Sequence, residues 1–577
     1  MTTHPTLIVF NAKIHTGVER RPEAQALAVS GRRVAAVGNN GQIRSLAGPA
    51  TVVIDAGKRR LIPGLIDSHL HLIRGGLNYN LDLRWDGVPS LADAMRMLAD
   101  QVDRTPAPQW VRVVGGFIEH QFAERRLPTL DELNRVAPST PVFIQHLHDR
   151  ALLNAAALRA CGYTRDTPDP PGGHIEWDST GAPTGLLLAV PDAVCLHAAL
   201  ACAPKLPYEY QINATRHFMR DLNRLGVTSV IDAGGALQHY PDDYRAIEEL
   251  HQHRLLTMRI AYHLSAQRPG EELEDFRHWS AINHYGEGGE FYRLNGAGEI
   301  LVFSAADFSD FRQPRPELSL SMEDDLEQVV RLLAARNWPW RMHATYDETI
   351  SRALDVFERV QREIPLQGLR WFFDHAETVS DHNLGRIAQL GGGITVQHRM
   401  AYQGEYFVDR YGAAAATRAP PLRRMLAMGV HVGAGTDGTR LTGYDPWTAL
   451  YWLTTGKTLG GLSLVPRADC VDRATALALF TRANTWFSGE EGIKGQLDIG
   501  QLADFAVLSE DYFEIADDQI RQIVAELTVV DGRIVYAHGP FHAHDLPSPP
   551  AMPDWSPVNF ANGCWKGSQG RVLAGSF

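Results

Sequence analysis

Through the middle of the chain, short apolar runs alternate with longer stretches whose apolar residues recur at helical spacing. The runs predict strands at 61–72, 227–232, 259–263, 292–299, 341–344, 369–377, 394–399 and 430–437. The stretches between them predict helices that include 215–225, 322–336, 347–362 and 420–426. Strand and helix in alternation imply a parallel sheet, and eight such units imply an α/β chain folded as a (β/α)8 TIM barrel.

Both ends of the chain read differently. Residues 6–60 hold short strand-like runs separated by turns, and 503–508 and 527–536 match them in style. Asp531-Gly532 between two apolar runs is a hairpin signal. The pattern predicts a small β-sandwich assembled from 1–60 and 490–540, flanking a barrel at 61–489. The interval 80–220 is too long for one crossover and has strand-like pieces of its own at 110–116 and 141–147. It is expected to be an insertion after the first barrel strand, lying over the C-terminal face where barrel active sites form. The tail at 541–577, rich in Pro, Ser and Gly with Trp555, Phe560 and Trp565 interspersed, is expected to pack on the body or on a partner chain.

Composition narrows the partners. The 577 residues carry a net charge of -12, which argues against nucleic acid and anionic membranes as partners. Five cysteines without a CxxC pair suit a reducing compartment. The start lacks a basic, then apolar, leader pattern, and no apolar run is long enough to span a bilayer. The expectation is a cytoplasmic protein.

The chemistry begins at Leu61-Ile62-Pro63-Gly64-Leu65-Ile66-Asp67-Ser68-His69-Leu70-His71-Leu72. Strand side chains alternate between faces, so Asp67, His69 and His71 share one face. Two imidazoles at the mouth of an apolar strand can grip a divalent metal. Other strand ends supply Glu299 (fourth), His343 (fifth), His375 (sixth) and Asp437 (eighth). Taken singly, His343 and His375 read as core histidines and Asp437 as a turn or cap residue. Together they form the donor set of one or two zinc-like divalent ions.

The ordered set, with Pro63-Gly64-Leu65-Ile66-Asp67-Ser68-His69-Leu70-His71 and the closing Gly500-Gln501-Leu502-Ala503-Asp504-Phe505-Ala506-Val507, resembles the amidohydrolase superfamily. Leu127-Pro128-Thr129, Asn154 to Leu158, Thr167 to Gly173 and Pro183 to Leu187 in the insertion resemble its N-substituted formamide deformylase-like branch. That resemblance implies a homo-oligomeric, metal-dependent hydrolase of amide or formamide C–N bonds in a small organic molecule. It implies a metal-activated water with Asp437 as general base. His398, Arg399 and Arg440 are candidates for stabilising the oxyanion, although Arg399 and Arg440 read equally as structural ion pairs. Trp85, His120 and Tyr346 are candidate pocket walls for the substrate.

One departure stands out. Many relatives bridge two metals with a carboxylated lysine at the fourth strand, and this chain has no lysine between Lys205 and Lys457. Glu299 falls where that lysine would be. It reads as a ready-made carboxylate bridge, as a bystander to a mononuclear site, or as a loop residue before a strand at 300–304. Deamination or cyclic-amide hydrolysis on the same scaffold, isomerase or decarboxylase chemistry, and a metal-free binding protein are the competing functions.

Overall fold

The computed structural model describes residues 4–189, 193–235, 238–307, 310–560 and 563–566. Its centre is an eight-stranded parallel sheet formed by Leu65–Leu70, Val227–Asp232, Arg259–Leu264, Tyr292–Ala297, Trp340–Ala344, Trp371–His375, Gly393–Gln397 and His431–Gly435, each beside the next. Every pair is parallel, as crossover helices require. The ends of the sheet meet through a bridge between Leu70 and Gly438, so it is nearly closed like a barrel. Burial is almost continuous along these strands, the mark of a sheet covered on both faces. Among the crossover helices, Met322–Ala335 buries Leu326, Val329, Val330 and Leu333, a stripe at helical spacing. Asp347–Gln361 does the same with Ile350, Ala353, Leu354 and Phe357.

Two sheets stand outside the barrel. One has four strands, Arg33–Gly38, Ala26–Ser30, Leu7–Phe10 and Val52–Asp55. The other has six and mixes both ends of the chain, in the order Arg533–Ala537, Ala525–Val530, Phe505–Leu508, Arg60–Pro63, Lys13–His15 and Glu23–Ala24. One buried cluster joins them, with Val9, Leu27 and Val29 from the first and Leu61, Phe505 and Val529 from the second. Asp531 and Gly532 both take positive φ, 58° and 71°, the backbone of a two-residue primed hairpin turn.

The long interval after the first barrel strand contains a five-stranded mixed sheet, in the order Gly173–Trp177, Pro183–Ala189, Arg150–Leu153, Val142–His146 and Val111–Val114. The main chain of Gly116 donates to the Arg440 carbonyl at 3.3 Å, and Arg84 reaches the Thr439 carbonyl at 3.2 Å. The interval thus rests on the loop that follows the eighth strand. Of the tail, 541–560 and 563–566 are described. Ser556 donates to the Asn80 carbonyl, and Lys566 is buried against Asp445 at 2.7 Å. Residues 567–577, also assigned to the tail, lie outside the described residues. The segment 300–304 is not a strand; a short 3-10 turn covers Phe303–Ala305.

Candidate metal centre

Six side chains from five strand ends converge on one point. His69 lies on the first strand, and His71 is the residue that starts the following helix, Leu72–Gly76. Nε2 of His69 stands 3.3 Å from one oxygen of Glu299 and 3.5 Å from one of Asp437. Nε2 of His71 is 3.3 Å from the same Asp437 oxygen and 3.7 Å from the other oxygen of Glu299. His343 Nδ1 lies 4.0 Å from Glu299 and 2.9 Å from Nε2 of His375. Among the described residues, two sets of ligand atoms are compact enough to hold an ion, His69 with His71 and Asp437, and His69 with Glu299 and His375.

Local backbone makes the convergence possible. The main-chain N–H of Asp437 donates to the His69 carbonyl at 2.7 Å, drawing the eighth strand end onto the first. Asp67, buried beneath, accepts from the His69 and Thr436 N–H groups at 2.9 and 3.0 Å. His375 and Asp437 have φ of 76° and 58°, a region L-residues seldom adopt. Such strain concentrates at functional sites.

The groups behind the ligands fix their orientation. His71 Nδ1 lies 2.7 Å from the Gly234 carbonyl and donates to it, which leaves Nε2 facing Asp437. His343 Nε2 faces the Asp307 carbonyl at 3.1 Å and its carboxylate at 3.2 Å, which turns Nδ1 toward the cluster. Nδ1 of His69 sits between the Asp374 carboxylate, 3.1 Å away, and Arg341 Nη2, 2.7 Å away. A proton on that nitrogen is directed at Asp374, while Arg341 is held on Asp374 by its Nε at 2.7 Å. Hydrogen bonds of this kind behind metal-binding imidazoles set tautomer and basicity.

The electrostatics ask for a cation. Burial alone would lower the pKa of His69, yet the Asp374 carboxylate, working against Arg341, pushes it up to about 10. The buried Nε2 of His69 faces the carboxylates of Glu299 and Asp437 without a well-directed hydrogen bond to either. A site that holds a proton there so firmly will also hold a metal in its place. Burial raises the pKa of Glu299, but His69, His71 and His343 bring it down to about 2. Asp437, raised by burial, is likewise held below the usual carboxylate range by His71, His69 and Arg399. His375 is kept neutral by burial and by Arg399. Ionised carboxylates are already in the form a divalent ion needs, His375 is neutral, and an ion arriving at the cluster would displace the proton of His69, so the residues fit one.

The remaining predicted residues are dispersed. Arg399 lies 3.7 Å from Asp437 and 3.6 Å from the buried Glu377, bordering the cluster. His398 caps the same helix, both ring nitrogens buried without hydrogen-bond partners, with Tyr402 5.4 Å from its ring. Tyr346 is buried under Arg315 and Phe311. Trp85 is fully buried in the core of the insertion against Phe117 and Phe122, so it packs that core rather than lining an open wall. His120 pairs with Tyr406, ring centroids 5.4 Å apart. Arg341, Asp307, Gly234 and Asp374 are the groups at this site that sequence reasoning passed over.

A nearly closed parallel barrel with imidazoles and carboxylates gathered at its C-terminal strand ends is the arrangement of a metal-dependent hydrolase. Residues 52–536 match the amidohydrolase family, and the chain belongs to it. It is an enzyme that hydrolyses C–N bonds other than peptide bonds. The N-substituted formamide deformylase of Arthrobacter pascens is 26% identical over 549 residues, covering 93% of this chain and 99% of that relative. An uncharacterized metal-dependent hydrolase from Pyrococcus horikoshii OT3 shares the fold with a TM-score of 0.63 at 20% identity, covering 89% of this chain and 99% of that one. The zinc complex of atrazine chlorohydrolase TrzN from Arthrobacter aurescens TC1 superposes with a TM-score of 0.51 at 15% identity, over 92% of this chain and 95% of that one. No helix among the described residues is long and apolar enough to cross a membrane.

Proposed function

We propose that this chain hydrolyses N-substituted amides or formamides with two divalent ions, zinc foremost, held on either side of Glu299. The observation that carries this reading is the span of the Glu299 carboxylate. One of its oxygens faces His71 at 3.7 Å, and the other faces His69 at 3.3 Å and His343 at 4.0 Å. His69, His71 and Asp437 would hold one ion, and Glu299 and His375, with His343 beside them, the other. When bound, such ions polarise a carbonyl and bring the pKa of water near neutrality.

The chain's own groups supply the rest. The Asp437 carboxylate, at the edge of the cluster, takes the proton from the attacking water and returns it to the departing amine nitrogen. Arg399, 3.7 Å from Asp437, stabilises negative charge as it develops on the former carbonyl oxygen. The N-substituted character of the substrate is supported by the formamide-hydrolysing relative. The buried cluster shared by the two outer sheets supports one β-sandwich built from 1–60 and 490–540 beside a barrel at 61–489. The contacts to Thr439 and Arg440 support the insertion at 80–220 as a cover over the site. Homo-oligomerisation and a cytoplasmic site of action rest on resemblance and composition alone.

The test is elemental analysis of protein purified without added metal or chelator, paired with amine release from a panel of N-substituted formamides and amides. Near two equivalents with amine release supports the reading. Near one equivalent removes the bridge. Release of ammonia from an aromatic amine instead would favour the deaminase.

A further inference from the structure

Beside the cluster lie two guanidinium groups that, among the described residues, have no carboxylate within ion-pair distance. Arg74 belongs to the turn of helix directly after His71. A Cβ placed on Gly235 would lie 3.3 Å from Arg74 Nη1, 3.5 Å from Glu299 Oε1 and 3.5 Å from His71 Cε1, so these three groups share one wall of the site. Arg440 follows Asp437 in the loop after the eighth strand. Its carbonyl accepts from Gly116, and Gly115 presses on the same carbonyl so closely that any side chain there would collide with it. The Arg440 guanidinium reaches the ring of His197 in the insertion, with Nη1 3.3 Å from Nε2. His148, from the same insertion, sits within the fields of Asp437, Arg74, Arg440 and Arg399.

Arg74 and Arg440 are half-buried, and other buried or half-buried arginines are treated differently. Arg84 holds Asp86 at 2.9 Å, Arg112 holds Asp82 at 3.4 Å and Arg224 holds Asp221 at 2.6 Å. Arg259 holds Asp504 and Arg341 holds Asp374, both at 2.7 Å. Among the described residues neither Arg74 nor Arg440 has a carboxylate within 4.0 Å. The charge of Arg74 is offset only at longer range, by Glu299 and Asp437 of the cluster and by Asp232 and Asp243, while Arg440 is opposed by Arg74 and Arg112 and favoured only by Asp82. Withdrawing a cation from water without pairing it is costly, and Arg440 bears that cost with Arg74 opposing it, while metal ions bound by Glu299 and Asp437 would take up the charge that offsets Arg74. An anion seated between the two arginines offsets that cost, and a guanidinium fork matches the two oxygens of a carboxylate.

We propose that Arg74 and Arg440, with His148 and His197, form a subsite for a carboxylate on the substrate, so that the amide cleaved is of the N-acyl or N-formyl amino acid class. This rests on the amide-hydrolase reading of the metal cluster. The subsite takes the part that sequence assigned to Trp85 as a pocket wall, since Trp85 is packed away in the insertion core. It also gives the insertion a part in recognition, because His148 and His197 bring it to the reacting end of the substrate.

A matched pair of substrates tests this: N-formylphenylalanine and N-formylphenethylamine, which differ by the carboxylate. With metal-loaded enzyme, kcat/KM favours the acid by about 10- to 100-fold, the range for hydrogen bonds to a charged group. In Arg440→Gln the preference collapses toward one through a higher KM for the acid, and Arg440→Lys restores part of it. Equal kcat/KM for the two substrates, or an unchanged preference in Arg440→Gln and Arg74→Gln alike, overturns the proposal while leaving the amide-hydrolase reading intact. Calorimetry with 3-phenylpropionate on metal-loaded protein reads the subsite without turnover. Binding at least 10-fold weaker in Arg440→Gln supports it even if neither amide is cleaved, which would instead sink the hydrolase reading. Equal affinity in wild type and variant places the carboxylate on the metal and overturns the subsite.

Discussion

The carboxylate of Asp374 lies 3.1 Å from Nδ1 of His69, one layer below the ligand cluster. The two residues are adjacent in space because the first and sixth barrel strands face one another across the interior. Arg341 closes the group by holding both Asp374 and the Ser68 carbonyl, the latter at 3.0 Å. Asp374 is therefore a positioning residue for His69, with no place in the chemistry itself.

Replacing Asp374 by Asn keeps a hydrogen-bond partner for Arg341 but removes the charge that favours a cation on His69. Metal affinity should fall by about 10- to 100-fold, as for other groups that orient metal-binding histidines. Competition with a chelator of known affinity measures it. Asp374→Leu should be far worse for the fold, because an unpaired buried Arg341 costs about 3–5 kcal/mol. Thermal denaturation of the two variants separates these effects.

Glu299→Gln should bind about one ion per chain where the wild type binds two, because a neutral amide is a poor bridge between two cations. Elemental analysis of the variant decides the matter. An undiminished content would remove Glu299 from the ligand set.

Asp437→Asn should retain most of its metal while kcat falls by about 10²–10⁴-fold, the usual worth of general acid–base assistance. Metal content and single-turnover rates on the same preparation report the two roles separately. Loss of the ion together with activity would make Asp437 chiefly a ligand.

The insertion is joined to the barrel side by a buried network that titrates. His146 lies 2.7 Å from Glu119 and 3.2 Å from Asp149, and Arg312 lies 3.2 Å from each of the same two carboxylates. Burial opposes charge on His146, but Asp149 and Glu119 raise its pKa from 6.5 to about 9. That contribution is complete below pH 6.5 and is lost as pH rises toward 9. Glu119 is the opposite case. Burial raises its pKa, His146 and Tyr406 bring it down to about 2, and its contribution fades only as pH falls from 4.5 toward that value. Raising the pH from 6.5 to 9 should therefore cost on the order of 3 kcal/mol through His146. Unfolding midpoints across that range, in wild type and His146→Gln, test this; the variant should show a shallower decline.

Much of this centre was legible from strand ends. His69, His343 and Glu299 fall within two residues of a strand end, and a parallel barrel brings such positions together. Asp374 was not legible, because strand alternation sends consecutive side chains to opposite faces. His375 evades that rule by adopting φ 76°, which lets it join the rim while Asp374 faces inward. Arg341, two residues before His343, looked like one more arginine in an arginine-rich chain. Its role depends on Ser68 and Asp374, partners that only the closed sheet supplies. Trp85 misled for a related reason. A lone tryptophan near a predicted site suggests a pocket wall, but the insertion has its own sheet and needed it as core. Arg74 and His197 carry no local signal at all, since their meaning comes from the groups that surround them in the folded chain.

The six-stranded outer sheet places Arg60–Pro63 between Lys13–His15 and Phe505–Leu508. That arrangement sets a timetable for biogenesis. The first barrel strand continues directly from Arg60–Pro63, yet one neighbour of that segment leaves the ribosome only after the entire barrel has been made. The His69 strand likewise waits for Asp437 before its own edge is covered. Chains usually fold domain by domain from the N-terminus as they are synthesised. Here the earliest strands must stay uncommitted until the latest arrive, so the nascent protein depends on whatever shields exposed strand edges during its translation.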